Sequence, residues 1–229
     1  MRVTSLTASR LHEVSEVLGA AFADDPIVWQ MIPRNARNRT AKVAGFFRWS
    51  LRYTGFGNVD VALSDDDGSV LGAAIWEPPT HRAHPIRASI ELPRVWLGIG
   101  RRGSRAVHEY EIAVAPHHPT APHWHLVDIG TDPSARGRGV GSALLEYRLA
   151  TLDEQGALAS LSATSPGSRR LYERYGFEAL QEIHEGIAAG LTVMSRAPGK
   201  PGQPLQPRVD PMLSISGDDV AGTTGQTDH

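Results

Sequence analysis

Apolar residues recur at helical spacing in two stretches near the start of the chain. The first follows Ser9 and ends at the turn Asp24-Asp25-Pro26, and the second spans residues 36–54. Apolar residues that return every three or four positions share one face of a helix, so both stretches predict amphipathic helices. In the first stretch these positions are Leu11, Val14, Val17, Leu18 and Phe22.

Three other stretches alternate between apolar and polar residues, which is typical of strands. They are residues 2–6, Val59–Leu63 and Val70–Trp76. The sequence Ser-Asp-Asp-Asp-Gly at 64–68 lies between the last two and has the residues of a hairpin turn. An antiparallel hairpin is therefore predicted there.

The second half of the chain begins with a segment that is difficult to interpret. Prolines interrupt residues 78–122, where we expect helix around 86–97 and 105–115. The order strand, helix, strand, helix, strand, strand then follows, which predicts a fold of the α/β class (α+β mixed sheet) with at least one parallel crossover. The predicted elements are Trp124–Thr131, Gly139–Glu154, Ala157–Ser162, Pro166–Tyr175, Phe177–His184 and Ile187–Arg196.

The composition changes abruptly after Arg196. Residues 197–229 are rich in Pro, Gly, Ser, Asp and Thr and contain almost no aliphatic cluster. Such a segment buries too little surface to offset its ordering entropy. We expect one domain over residues 1–196 and a disordered C-terminal tail over 197–229.

Charge and composition exclude several classes of function. The 229 residues have a formal net charge of -2 and no cysteine. The absence of cysteine excludes disulfides, a thiolate nucleophile and zinc sites with Cys ligands. The near-neutral charge gives no bulk attraction to nucleic acid or membranes. No stretch has the length of a signal peptide's apolar core or of a membrane span, so we expect a soluble, cytoplasmic protein with neither of those partners.

A glycine-spaced turn connects the strand that ends near Thr131 to the next helix. Its glycines permit positive φ, so that backbone N–H groups and the helix N-terminus converge on an anion. Two arginines add positive charge, which favours a diphosphate. The turn comprises Arg136, Gly137, Arg138, Gly139, Val140, Gly141 and Ser142.

Three other interpretations of this turn are weaker. A nucleoside-triphosphate P-loop requires a lysine, which this turn does not contain. A dinucleotide-binding fingerprint requires a third glycine where Ser142 stands, and the turn is too long for one. A glycine-rich helix start with solvated arginines remains as the structural alternative.

Two motifs in this order resemble those of the GNAT superfamily of N-acetyltransferases. Arg136–Gly141 matches the Arg/Gln-x-x-Gly-x-Gly/Ala signature, and Leu171–Phe177 matches the family's Leu-Tyr-x-x-x-Gly-Phe helix. Within the superfamily, the strings at 20–26, 115–126, 132–145 and 165–177 are most similar to the puromycin N-acetyltransferases. The resemblance implies the GNAT fold, a central twisted mixed sheet flanked by helices.

The resemblance also implies that acetyl-CoA is the co-substrate and lies in a splayed gap between the fourth and fifth strands. The amides from Gly137 to Ser142 would bind its pyrophosphate. Tyr172 matches the tyrosine that protonates the leaving thiolate in many members, although an aromatic that only packs under the sheet is the alternative. The main chain of the fourth strand would bind the pantetheine arm through Ile129, Gly130 and Thr131.

The general base is less clear from the sequence. His123 and His125 alternate along a strand, face one side and are base candidates, although a structural role is as good an explanation. Asp128 and Glu111 are weaker candidates. With His117 and His118 the histidines form a cluster, but no carboxylate stands at ligand spacing, so we expect no metal.

We therefore expect a monomeric or homodimeric enzyme that acetylates a primary amine of a small molecule, including an antibiotic. Acetylation of a protein N-terminus or lysine is one alternative. A non-catalytic acyl-CoA-binding regulatory module is an alternative of another class. Five aromatic residues would either line the acceptor pocket or fill the core: Trp29, Phe47, Trp76, Trp96 and Tyr110.

Overall fold

A computed structural model describes residues 1–79 and 85–199, and side chains for 1–79 and 99–199. The helices are α1 Leu11–Ala21, α2 Pro26–Met31, α3 Arg39–Thr54, α4 Pro85–Val114, α5 Val140–Glu154 and α6 Pro166–Arg174. The strands are β1 Arg2–Ser5, β2 Val59–Leu63, β3 Val70–Glu77, β4 His123–Thr131, β5 Leu158–Ala163, β6 Glu178–Glu182 and β7 Thr192–Arg196. None of the helices in the described part of the chain is long and apolar enough to cross a membrane.

The described strands form a seven-stranded mixed sheet in the order β1-β2-β3-β4-β5-β7-β6. Neighbouring strands pair antiparallel except β4 and β5, which are parallel and are joined through α5. Both the predicted α/β class and the predicted parallel crossover are confirmed.

The alternation along the central strands places core residues on both faces of the sheet. Ala73 and Ile75 of β3 pack in one cluster with α1 and α3, whereas Ala74 and Trp76 pack in another with α5 and α6. Helices therefore cover both faces, and the sheet is the middle of three layers.

The sheet opens between β4 and β5. Their parallel pairing runs from His123 opposite Leu158 to Leu126 opposite Leu161, while β4 itself continues to Thr131. Beyond this point β5 pairs only with β7, through Ala163 opposite Thr192. The two strands thus diverge and leave backbone groups of β4 free of the sheet ladder on that side.

Two elements differ from the sequence-based expectations. The short helix α2 was not expected; Asp25 caps it through hydrogen bonds from two backbone amides, and Pro26 opens it. The last strand begins at Thr192 rather than Ile187, because residues 186–188 form a 3₁₀ turn. The two helical segments expected within 78–122 are present in α4 and meet at Gly100, whose φ of 67° and ψ of -176° are not helical. Most of the expected tail, residues 200–229, lies outside the described residues.

Candidate active site

Gly130 brings helix α1 directly onto the open edge of β4. A Cβ atom at this glycine would lie 2.8 Å from Cδ2 of Leu18 and 3.0 Å from Cε2 of Phe22. Any side chain would therefore push the end of α1 away from the strand. The close packing fixes Phe22 and the following Asp25 beside the backbone of β4.

The glycine turn after β4 has the geometry of an anion site. Gly137 and Gly139 have φ angles of 77° and 78°, a region that suits glycine. Gly139 is also the N-cap of α5, and no side-chain hydrogen bond caps this described helix end. The first amides of α5 have no intrahelical acceptors, so they are suited to a diphosphate.

The two arginines of the turn have exposed side chains. Arg136 donates a hydrogen bond from Nη2 to the backbone oxygen of Ala21, at 3.2 Å, and so links the turn to the end of α1. The backbone N–H of Arg138 donates to the oxygen of Ala135 at 3.3 Å. The fold thus brings the sequence-predicted residues from Arg136 to Ser142 together next to Ile129, Gly130 and Thr131.

Replacing Gly139 with alanine tests the role of the turn. No atom lies within 4 Å of the added Cβ, but the positive φ would cost about 1 kcal/mol and shift the helix-end amides. We expect the Kd for coenzyme A, measured by calorimetry, to rise about tenfold for a loss of roughly 1.4 kcal/mol. Gly45→Ala is the control, since Gly45 lies in α3 with equally open space. An unchanged Kd in Gly139→Ala would refute an anion-binding role for the turn.

Tyr172 lies near the C-terminal end of α6. Ser165 is the N-cap of this helix and forms a capping box with Ser168. The Tyr172 side chain is 5% exposed and contacts the ring of Phe177 edge-on. Burial, and then the charge of Asp128, raise the pKa of Tyr172 above its usual value. The phenol therefore keeps its proton at neutral pH, as a general acid requires.

A cavity of about 590 Å³ lies next to this tyrosine. Residues of α2, α3 and α4 form apolar and aromatic walls, and the floor includes Val127, Asp128 and Ile129 of β4. Asp128 is partly buried, and its pKa is raised to about 7 by burial and by the charges of two other carboxylates, Asp25 and Glu77. A carboxyl group with this pKa can gain or lose a proton near neutral pH.

His123 and His125 face the same side of β4, as expected. This is shown by the rings of both residues, which lie against the ring of His118. The ring centroid of His118 is 4.5 Å from that of His125, and Nδ1 of His125 is 3.0 Å from Oγ of Ser160. The described residues that line the cavity include Asp128 and Tyr172 but neither His123 nor His125. No group of three potential ligands in the described part of the chain is placed to hold a metal.

The histidine cluster predicts that the protein loses stability in acid. Burial first, and then neighbouring histidines, lower the pKa of His118 to about 4 and that of His125 to about 3. As the pH falls below 6.5, histidines of the unfolded chain bind protons, whereas the buried histidines of the folded protein stay neutral. The free energy of unfolding therefore falls until the pH reaches the folded pKa values. We expect His118→Phe to reduce this loss between pH 6.5 and pH 4 by about 1–2 kcal/mol in urea titrations.

The exposed His12 provides the control for this comparison, because its side chain is 74% exposed. We expect the pH dependence of the unfolding free energy to change less in His12→Gln than in His118→Phe. The raised pKa of Asp128 changes stability with pH in the opposite direction. Asp128 is present in the wild type and in both variants, so the slopes of unfolding free energy against pH can still be compared. Equal slopes in His118→Phe and the wild type would contradict the assignment of a neutral buried cluster.

The sequence profile of the Acetyltransferase (GNAT) family matches residues 29–177. This match covers well over half of the chain and includes β4, the glycine turn and Tyr172. The chain therefore belongs to the GNAT acetyltransferase family, and the superfamily resemblance of its motifs is confirmed.

Solved structures agree with this assignment. A protein described as histone acetyltransferase HPA2 and related acetyltransferase, from Corynebacterium glutamicum, is 31% identical, with a TM-score of 0.68 over 88% of this chain and 98% of that one. A Drosophila melanogaster polyamine N-acetyltransferase is 20% identical, with a TM-score of 0.58 over 86% and 99%. A mosquito arylalkylamine N-acetyltransferase-like protein is 15% identical, with a TM-score of 0.52 over 86% and 99%. The last two show the shared fold.

The structure adds acidic cavity residues that sequence reasoning missed. Asp25 was assigned only to a turn and Glu77 was not singled out, yet both line the cavity with Asp128 and Glu111. They are the N-cap of α2 and residues of β3, β4 and α4. Because these positions are far apart in the sequence, no sequence motif connects them. Of the five aromatic residues singled out, Phe47 and Tyr110 line the cavity, and Trp76 fills the core. Trp29 is absent from the described lining and donates from Nε1 to the backbone oxygen of Ala23 at 3.3 Å, and the side chain of Trp96 lies outside the described residues.

Proposed function

We propose that this enzyme transfers the acetyl group of acetyl-CoA to a primary amine of a small molecule. The observation that carries the proposal is one cavity, at the open edge of β4, that has Asp128 on its floor and Tyr172 beside it. The glycine turn provides an adjacent site for the diphosphate of the donor. The named activities of the polyamine and arylalkylamine enzymes support a small amine as acceptor.

The proposed chemistry uses one carboxylate and one phenol. Asp128 accepts a proton from the bound ammonium, either directly or through a water, which leaves a neutral amine that can attack. The new C–N bond forms as the C–S bond breaks, and Tyr172 donates its proton to the departing thiolate. The nitrogen loses a second proton on becoming an amide, and solvent returns a proton to the Tyr172 phenolate. The amides of Ile129, Gly130 and Thr131 would bind the pantetheine arm and polarise the thioester carbonyl. No covalent enzyme intermediate is required.

We propose Asp128 as the base in preference to His123 and His125. A base must come within hydrogen-bond reach of the proton it removes, either directly or through one water. Asp128 lines the cavity that contains Tyr172, whereas the two rings pack against His118 instead.

A role in resistance to an antibiotic belongs to this proposal, with aminonucleosides such as puromycin among the acceptors to test. We also propose that the protein is cytoplasmic and monomeric or homodimeric. Its catalytic domain would span residues 1–196 and be followed by a disordered tail. The volume of the cavity, about 590 Å³, suits a small acceptor.

A protein acceptor is the second candidate, because the 31% identical relative is described as a histone acetyltransferase. Mass spectrometry of reactions with acetyl-CoA separates the two candidates. The panel contains polyamines, aminonucleosides, aminoglycosides, arylalkylamines and a lysine peptide. We expect acetylated products from small amines and none from the peptide. Acetylation of the peptide alone would overturn the small-molecule proposal, and binding of acetyl-CoA without any product would favour the regulatory module.

A further inference from the structure

One wall of the acceptor cavity is a short segment, residues 23–32, which contains α2. Four of its residues line the cavity: Asp25, Ile27, Val28 and Met31. The helix has only six residues, and an isolated helix of this length is unstable in water. Contacts with the rest of the fold must therefore fix the position of this wall.

Arg39, the first residue of α3, binds both ends of this segment. Its Nη1 atom donates to the backbone oxygen of Ala23 at 2.6 Å, and its Nε atom donates to that of Ile32 at 3.3 Å. Ile32 is the C-cap of α2, so its carbonyl lies at the helix end that favours a cation. The Nη2 atom of Arg39 is buried as well. The guanidinium therefore lies between the two ends of the segment and joins them.

Trp29 makes a further contact with the same carbonyl of Ala23. Its Nε1 atom donates to this oxygen at 3.3 Å, and the guanidinium carbon of Arg34 lies 3.6 Å from the centre of its ring. Trp29 belongs to α2 and Arg39 to α3. The carbonyl of Ala23 is thus the point at which the two helices are joined by hydrogen bonds.

The neighbouring helices pack closely against the two ends of the segment. Before it, Phe22 at the end of α1 lies against Gly130 of β4. At its other end, a Cβ atom at Gly103 of α4 would lie 2.7 Å from the backbone oxygen of Met31. Each of these contacts fixes one end of the segment, whereas Arg39 spans it.

We propose that Arg39 is a positioning residue for the acceptor. By joining Ala23 to Ile32, it holds α2 in place as a wall of the cavity and so strengthens the binding of the amine. This inference rests on the proposed function. Arg39 is absent from the described lining of the cavity, so it acts through the residues of α2 that do line it. Coenzyme A binding, which uses the turn after β4, should not depend on Arg39.

Arg39→Met tests the two hydrogen bonds by hydrogen–deuterium exchange, because it removes the donors and keeps most of the side-chain length. We expect the amides of residues 23–32 to exchange about tenfold faster, which corresponds to roughly 1.4 kcal/mol. One hydrogen bond to a charged group contributes about this much. Arg37→Met is the matched control, because Arg37 is exposed and lies just before Arg39 in the sequence. Exchange in residues 136–142 should be the same in both variants and the wild type.

Steady-state kinetics test the effect on the acceptor. The amines are a polyamine, an arylalkylamine and an aminonucleoside, namely spermidine, tryptamine and puromycin. For each one that the wild type acetylates, we expect Arg39→Met to raise KM about fivefold and to leave kcat and the Kd for coenzyme A within about twofold. Arg39→Lys keeps the charge and can donate to one of the two carbonyls, so KM should return to within about twofold of the wild type.

The outcomes separate this inference from the proposed function. Wild-type exchange over residues 23–32 in Arg39→Met, or an equal change in Arg37→Met, would overturn the positioning role. A wild-type KM for the amines would do the same, and so would a joint loss of kcat and coenzyme A binding, which would indicate a general loss of structure. Acetylation of none of these amines by the wild type would instead overturn the proposed function, while the exchange experiment still tests the hydrogen bonds of Arg39.

Discussion

Asp128→Asn is expected to lower kcat/KM about 10²- to 10³-fold, because it removes the group that takes the ammonium proton. Wild-type kcat/KM should rise tenfold per pH unit in acid and level off near pH 7, where the Asp128 carboxyl loses its proton. The residual kcat/KM of the variant should show no such rise with pH. Steady-state rates between pH 5.5 and 8.5, taken as roughly the range in which a group of this pKa titrates, provide the measurement.

The same substitution is expected to stabilise the fold. The Asp128 pKa is raised from 3.8 to about 7, so the folded state disfavours the carboxylate and loses stability as pH rises from about 4 to 7. At pH 8 we expect Asp128→Asn to gain about 2 kcal/mol in unfolding free energy, with a smaller gain at pH 5. The control is Asp24→Asn, because Asp24 is exposed and precedes the cavity residue Asp25 in the sequence. A stable variant with wild-type activity would exclude Asp128 as the base.

Tyr172→Phe is expected to lower kcat about 10²-fold with little change in the KM for acetyl-CoA, because the phenol acts on the leaving thiolate and not on the bound donor. The ring and its packing remain, so the melting temperature should stay close to that of the wild type. Tyr175→Phe is the matched control; Tyr175 is equally buried, at 4%, and donates to Glu146 at 2.6 Å. Equal loss of kcat in both variants would assign Tyr172 a packing role.

The backbone geometry of the proposed donor site could be predicted from the sequence because its determinants are local. Glycines at 137 and 139, with a strand before them and an apolar helix after them, already specify left-handed backbone and free helix-end amides. The family resemblance added Tyr172 and the gap between β4 and β5. None of these inferences requires knowledge of distant contacts.

The acceptor cavity could not be predicted in this way. Its carboxylates come from four elements, and their pKa values depend on burial that only the packed fold creates. The histidines attracted attention because they alternate along β4, yet tertiary packing places them around His118. One local signal was missed, since Asp25 followed by Pro26 is a good helix start, and α2 begins there.

Amine-dependent release of free thiol from acetyl-CoA is the most direct test of the central claim, that a GNAT fold with Asp128 and Tyr172 in one cavity acetylates small amines. The assay follows thiol formation by the purified full chain with and without each amine of the panel. We predict release that requires a small amine and matches the amount of acetylated product. Thiol release that no small amine stimulates, in a protein that binds acetyl-CoA, would contradict the claim.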